Sequence, residues 1–195
     1  MGNRIITISR EFGSGGRTIG RKTAEKLGIP CYDSELIDKI AEESQLAKDY
    51  VEEKGEQTAH SNWLLNAFSA ERGVSGVSTQ DYLWMVQCQV IQQLARQQSC
   101  VIIGRCADYI LEDIEDCLKV FIHANPELRA KRIVEVYGET GDSPQKRIRD
   151  KDKRRKTYYR FYTDIEFGNS AHYDVCLDSG SLGIEKCVDV LCSLY

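Results

Sequence analysis

The residues best suited to chemistry are Gly13, Ser14, Gly15, Gly16, Arg17 and Thr18. Glycines let backbone N–H groups turn inward and come close to phosphate. A helix starting at this point adds the positive end of its dipole. The stretch therefore suits the phosphates of a nucleotide, with Arg17 as the cation and the Thr18 hydroxyl within reach of Mg2+. It departs twice from the pattern G-x-x-x-x-G-K-[ST]. Glu11 stands at the first glycine, and Arg17 stands at the lysine, offering a planar fork in place of a compact ammonium. A plain glycine turn between strand and helix is the competing reading.

Two further polar signals follow apolar runs: Asp33 after "IPCY", and Gly104-Arg105 after "CVII". Arg105 suits a second phosphate, or else a structural ion pair. A basic stretch from Lys146 to Lys156 then runs into Thr157-Tyr158-Tyr159-Arg160-Phe161-Tyr162. Nine of the fifteen residues from 146 to 160 are Lys or Arg. Phosphoryl transfer needs cations on the moving group and a lid that excludes water, and a basic arm supplies both. A solvated helix face and a nucleic-acid surface are the other readings of this stretch.

Elements must bring these signals together. Short, continuous apolar runs at 4–9, 30–33, 100–103, 118–122 and 173–177 read as buried strands. Helical patterns alternate with them: Arg17 to Leu27 stopped by Gly28, one after Ser34 with Leu36, Ile37, Ile40 and Ala41 inward, and a long one from Thr79. In the long helix Tyr82, Val86, Val90 and Leu94 fall four apart as a core stripe. Asn125-Pro126 opens another helix, and residues 181–194 form a closing one. Such alternation predicts an α/β fold with a parallel sheet covered on both faces. Ligands of such sheets bind beyond the carboxyl ends of the strands, where the three signals fall.

Bulk properties exclude little else. The chain has 195 residues, 42% hydrophobic and 29% charged, with a formal charge of −4. That charge gives no general case for nucleic acid or membrane binding. No apolar run approaches the roughly 20 residues of a membrane span. The first 20 residues lack a signal-peptide pattern, so the expectation is a cytoplasmic protein. The eight cysteines form no C-x-x-C pair and read as buried free thiols; His60, His123 and His172 are scattered. Residues 47–62 read as an acidic, solvated connection or frayed helix, and Gly73 to Ser78 as a loop. Trp63, Leu64, Leu65 and Phe68 form an apolar patch over the core or a partner, which leaves a homo-oligomer open.

Together these pieces resemble the nucleoside monophosphate kinases, most closely the cytidylate kinase-like family. The matching pieces are "ISREFGSGGRTIG", "IPCYDSELI", "VIIGRCAD", "LKVFIHANPELRAKR", "RDKDKRRKTYYRFYT" and "YDVCLDS". The resemblance implies a three-layer P-loop kinase fold with a five-stranded parallel sheet. It also implies a helical acceptor-binding insert over 34–98 and a basic lid over 139–170. The activity it implies is transfer of the γ-phosphate of ATP, with Mg2+, to a nucleoside monophosphate, CMP by family default, or another small acceptor. Gly13 to Thr18 would hold the ATP phosphates, and Asp33 and Arg105 would face the acceptor. Arg149, Arg154 and Arg160 would close on the transferring phosphoryl beside Arg17. The family carries Asp where Ile103 and Cys106 stand here. A nucleotide-binding regulator without turnover is the alternative that these departures leave.

Overall fold

The computed structural model describes residues 4–37, 79–114 and 116–195. The acidic connection, the Trp63 to Phe68 patch, the 73–78 loop and His60 lie outside these residues, as does most of the expected insert.

Strand β1 (Ile5–Arg10) is followed by the glycine turn and α1 (Gly16–Leu27). Gly28 ends α1 in the left-handed conformation, donating its N–H to the carbonyls of Ala24 and Glu25. Strand β2 (Cys31–Asp33) follows, then α2 (Thr79–Gln97), β3 (Cys100–Ile103) and the short α3 (Ala107–Ile110). Strand β4 (Cys117–His123) leads to α4 (Pro126–Tyr137), whose Asn125 cap accepts the Glu127 N–H at 2.8 Å. Helix α5 (Pro144–Thr163) precedes a 3-10 turn at Ser170–His172. Strand β5 (Val175–Asp178), α6 (Ser179–Leu182) and α7 (Ile184–Leu194) complete the chain.

All five strands are parallel, in the order β2-β3-β1-β4-β5. The order doubles back at β1, which opens a crevice beyond its carboxyl end. One face is covered by α1 and α7, with Ile6, Ile8, Ile19, Val101, Ile122 and Leu191 between them. The other is covered by α2 and α3 over Ile5, Val86, Ile91, Ile102 and Leu111. The α2 stripe predicted from spacing is in place: Val86, Val90 and Leu94 are buried, with Tyr82 packed beside them.

Several local expectations differ from the structure. The closing helix is two pieces, because the Asp178 carboxylate caps α6 and Gly183 takes a φ of 78° between the halves. Strand β5 starts at Val175; the preceding Asp174 instead exchanges hydrogen bonds with Lys119. Leu36 is exposed while Ile37 is buried; Ile40 and Ala41 lie outside the described residues. Cys176 is exposed, because it lies on an edge strand covered on one face only. The basic stretch, unassigned by periodicity, is a 20-residue helix capped by Ser143. Among the described residues no helix is long and apolar enough to cross a membrane.

Candidate active site

The glycine turn leaves β1 with the Glu11 N–H donating to the Ile122 carbonyl at 3.0 Å. Gly13 and Gly15 have φ of 82° and 81°, a region that L side chains rarely adopt. Helix α1 has no side-chain cap, so its first N–H groups stay available to an anion. Ser14 does not point outward; its Oγ donates to the Glu11 carbonyl at 3.0 Å. Glu11 accepts the Ala124 N–H at 3.3 Å and pairs with Arg129 at 3.1 Å.

Arg17 turns away from the turn. Its Nε donates to Asp33 at 3.0 Å, and its two Nη groups grip Glu35 at 3.1 and 2.7 Å. Arg21 joins the same Asp33 oxygen at 2.6 Å. The bonds to Glu35, then those to Asp33, raise the Arg17 pKa above its usual value despite partial burial. Burial pushes the Asp33 carboxyl up. The Leu36 N–H and the two guanidinium groups outweigh burial and hold it below its ordinary range. Arg17 and Asp33, predicted on opposite sides of the reaction, thus form one ion pair.

At the end of β3, Gly104, Arg105 and Cys106 have φ of 81°, 56° and 54°. Two successive non-glycine residues in the left-handed region cost of order 1–3 kcal/mol each. This strained turn sets the Arg105 guanidinium 5.8 Å from the centre of the Tyr158 ring. Beside it, Asp108 is buried and accepts from Ser9 at 3.3 Å and Tyr159 at 2.7 Å. Burial raises the Asp108 carboxyl, and these two donors offset it only in part.

Helix α5 lies along the same sheet end. Ile148, Asp152, Arg155, Tyr159 and Thr163 recur every three or four residues on the side facing the body of the protein. Asp152 accepts the Phe12 N–H at 2.8 Å and pairs with Arg129. Arg129, itself buried, also donates from Nε to the Phe12 carbonyl at 2.8 Å. Arg155 donates to the Arg10 carbonyl at 3.0 Å and lies over the Phe12 ring.

Between α5 and the strand ends is a cavity of about 830 Å3. Arg10, Arg105, Lys151, Lys153, Arg154 and Arg155 line it, and among the described residues no carboxylate does. Tyr158, Phe161 and Tyr162 form its aromatic wall, with Trp84 stacked on Tyr162 at 4.1 Å. Of the α5 arginines singled out in the sequence, Arg154 is in this wall. Arg149 and Arg160 are exposed and lie outside it, because eleven residues, about three turns, put both on the outer line of the helix. A smaller recess of about 230 Å3 opens on the other side of the turn, between Gly13, Ser14, Leu128, Arg132 and Ile184. There Arg132 donates to the Thr18 hydroxyl at 3.0 Å.

The sequence reading missed Arg10, Arg129, Arg132, Arg155 and Asp108. Arg10 directly follows the first apolar run, and that position was its only signal. Arg129 and Arg132 lie in the quoted "NPELRAKR" piece, one turn into α4, but spacing alone does not say which way they face.

A parallel sheet in this order, a glycine turn leading into α1, and a cation-lined cavity beyond the sheet define a P-loop kinase-type phosphotransferase. The sequence pattern of the cytidylate kinase-like family matches residues 5–181, and the chain belongs to that family. Its relatives include the cytidylate kinase of Archaeoglobus fulgidus, 25% identical over 95% of this chain and 91% of that one. An uncharacterized protein from Eubacterium ventriosum has a solved structure that covers 98% of both chains at 28% identity, with a TM-score of 0.75. The shikimate kinase of Bacteroides thetaiotaomicron shares the fold, with a TM-score of 0.52 at 16% identity over 98% of this chain and 97% of that one.

Proposed function

We propose that this protein transfers the γ-phosphoryl group of ATP to the phosphate of a nucleoside monophosphate. CMP is the first acceptor to test, since the curated relatives are named cytidylate kinases. The observation that carries this reading is the cavity beside the glycine turn, lined among the described residues by six cations and no carboxylate. A nucleotide phosphate is the ligand class that relieves such a concentration of like charge.

In this reading the N–H groups from Gly13 to Thr18 hold the β- and γ-phosphates, and the base end of ATP lies in the recess near Leu128 and Ile184. The acceptor lies in the large cavity, its phosphate against Arg105 and Arg154. An acceptor oxygen bonds to the γ-phosphorus while the bond to the β–γ bridging oxygen breaks. The electron pair leaves with ADP, and no covalent enzyme intermediate forms. Helix α5 serves as the lid, excluding water and holding positive groups over the transferring phosphoryl.

Mg2+ would neutralise charge between the β- and γ-phosphates. Thr18 is the residue that would hold it. Among the described residues no group of three or more His, Cys, Asp or Glu could hold a metal ion. A hydroxyl without carboxylates fits a Mg2+ held mainly by phosphate oxygens and water.

The test is ADP release measured over a panel of nucleoside monophosphates and small hydroxyl compounds. Turnover with at least one acceptor is expected. Its absence from the whole panel would overturn the reading. A nucleotide-binding regulator without turnover is the second reading, favoured by the commitment of Arg17 to Asp33 and Glu35. Tight ATP binding in calorimetry, without Mg2+ dependence or turnover, would support it. The nucleic-acid reading loses ground because Lys151, Arg154, Arg155 and Tyr158 line the cavity instead of forming an outer groove.

A further inference from the structure

Arg10 is the last residue of β1, and its side chain crosses the sheet end. Its aliphatic stem passes over the start of α1, where a Cβ on Gly16 would stand only 2.6 Å from the Arg10 Cβ. Its head reaches the end of β3, where a Cβ on Gly104 would overlap Nη1. The guanidinium therefore lies between the glycine turn and the Arg105 turn. It is partly open to the large cavity and enclosed by protein elsewhere.

Its charged neighbours are mainly cations: Arg155 from α5, Arg105 from the β3 turn and Arg17 from α1, with Asp33 as the weaker attraction. Burial first, and then these cations, pull its pKa down to about 9. Among the described residues the Arg10 guanidinium makes no hydrogen bond or ion pair. A guanidinium carries five donors in a fixed fork. Crowding them among like charges is costly, and an anion placed there removes the cost. Arg17, at the lysine position of the turn, cannot serve in the same way while Asp33 and Glu35 hold it.

We propose that Arg10, reaching in from the end of β1, binds the transferring phosphoryl group and takes the place of the P-loop lysine. This rests on the kinase reading above. The two Nη groups grip non-bridging oxygens of the γ-phosphoryl while its bond to the β–γ bridging oxygen breaks and its bond to the acceptor oxygen forms. Arg10 moves no proton; it stabilises charge that the phosphoryl oxygens carry throughout.

The experiment compares wild type, Arg10→Ala, Arg10→Lys and Arg17→Ala, using ATP and whichever acceptor the wild type turns over. Arg10→Ala is expected to lower kcat roughly a hundredfold while KM for the acceptor changes little. Arg10→Lys should recover part of the loss, and Arg17→Ala should retain more activity than Arg10→Ala. Thermal melting is the second readout. Removing a cation from among cations should leave the midpoint unchanged or raise it, whereas a residue kept for packing would lower it. Near-normal kcat in Arg10→Ala together with loss in Arg17→Ala overturns the proposal. If the wild type turns over no acceptor, the kinase reading falls instead. Arg10 is then judged by calorimetry with ATP and adenosine. A tenfold or larger loss of affinity for ATP alone in Arg10→Ala supports phosphate binding by Arg10; equal affinity overturns it.

Discussion

The Asp152 carboxylate accepts the Phe12 N–H at 2.8 Å, so a side chain of α5 is fastened to the backbone of the glycine turn. Its second oxygen meets Arg129, which in turn donates to the Phe12 carbonyl at 2.8 Å. The N–H and the C=O of Phe12 are thus both held by one ion pair, which places the turn and the basic helix together.

Breaking that pair should cost far more than a surface charge. Asp152→Ala leaves the buried Arg129 with Glu11 as its remaining carboxylate and the Phe12 N–H without its acceptor, and leaving such groups unsatisfied costs about 1–3 kcal/mol. Urea denaturation should show a loss of this size. Replacing both residues with apolar ones should recover part of it, and a double-mutant cycle measures the coupling.

Gly104→Ala tests the Arg10 geometry without touching a charge. The added Cβ overlaps the Arg10 head and sits at a φ of 81°. The expected outcome is a stability loss of about 1 kcal/mol and a fall in kcat that follows Arg10→Ala. Stability and turnover measured on the same preparation separate the two effects.

Arg105→Gly should relieve backbone strain, because glycine adopts a φ of 56° freely. Stability is therefore expected to hold or rise by about 1 kcal/mol. The acceptor KM should rise roughly tenfold with the loss of a phosphate contact. A steady-state titration of the acceptor, beside a melting curve, checks both.

Asp33 and Asp108 should respond to pH in opposite senses. The pKa of Asp33 is depressed in the folded state, so its contribution is present above the unfolded carboxyl value of about 3.9. That contribution is lost as pH falls through the lower folded value. Asp33→Asn should flatten the acid side of the stability curve. The pKa of Asp108 is raised by burial, so the folded state keeps its proton longer and stability falls as pH rises above about 4. Asp108→Asn should remove that fall and stabilise the protein at neutral pH. Denaturation midpoints across the pH range check both slopes.

The sequence by itself determined the five strands, several helix ends and the end of the sheet at which the candidate site is sought. Ile5 to Ile8 could be read as a buried strand because parallel strands covered on both faces need continuous apolar runs. Gly28 and Asn125-Pro126 marked helix ends through local backbone chemistry that requires no distant partner. The glycine turn, Asp33 and Arg105 could be placed at one end of the sheet, because the carboxyl ends of parallel strands lie together.

Only the tertiary structure decided which cations face that cleft. Arg154 and Arg155 line it while Arg149 and Arg160 do not, since the rotation of α5 is set by Ile148, Tyr159 and Asp152 packing on distant segments. The direction of Arg17 was set by Asp33 and Glu35, and that of Arg10 by the bare backbone at Gly16 and Gly104. A residue's type and spacing fix what its side chain can donate. Where a long, flexible arginine points depends on partners and gaps that exist only after the chain has folded.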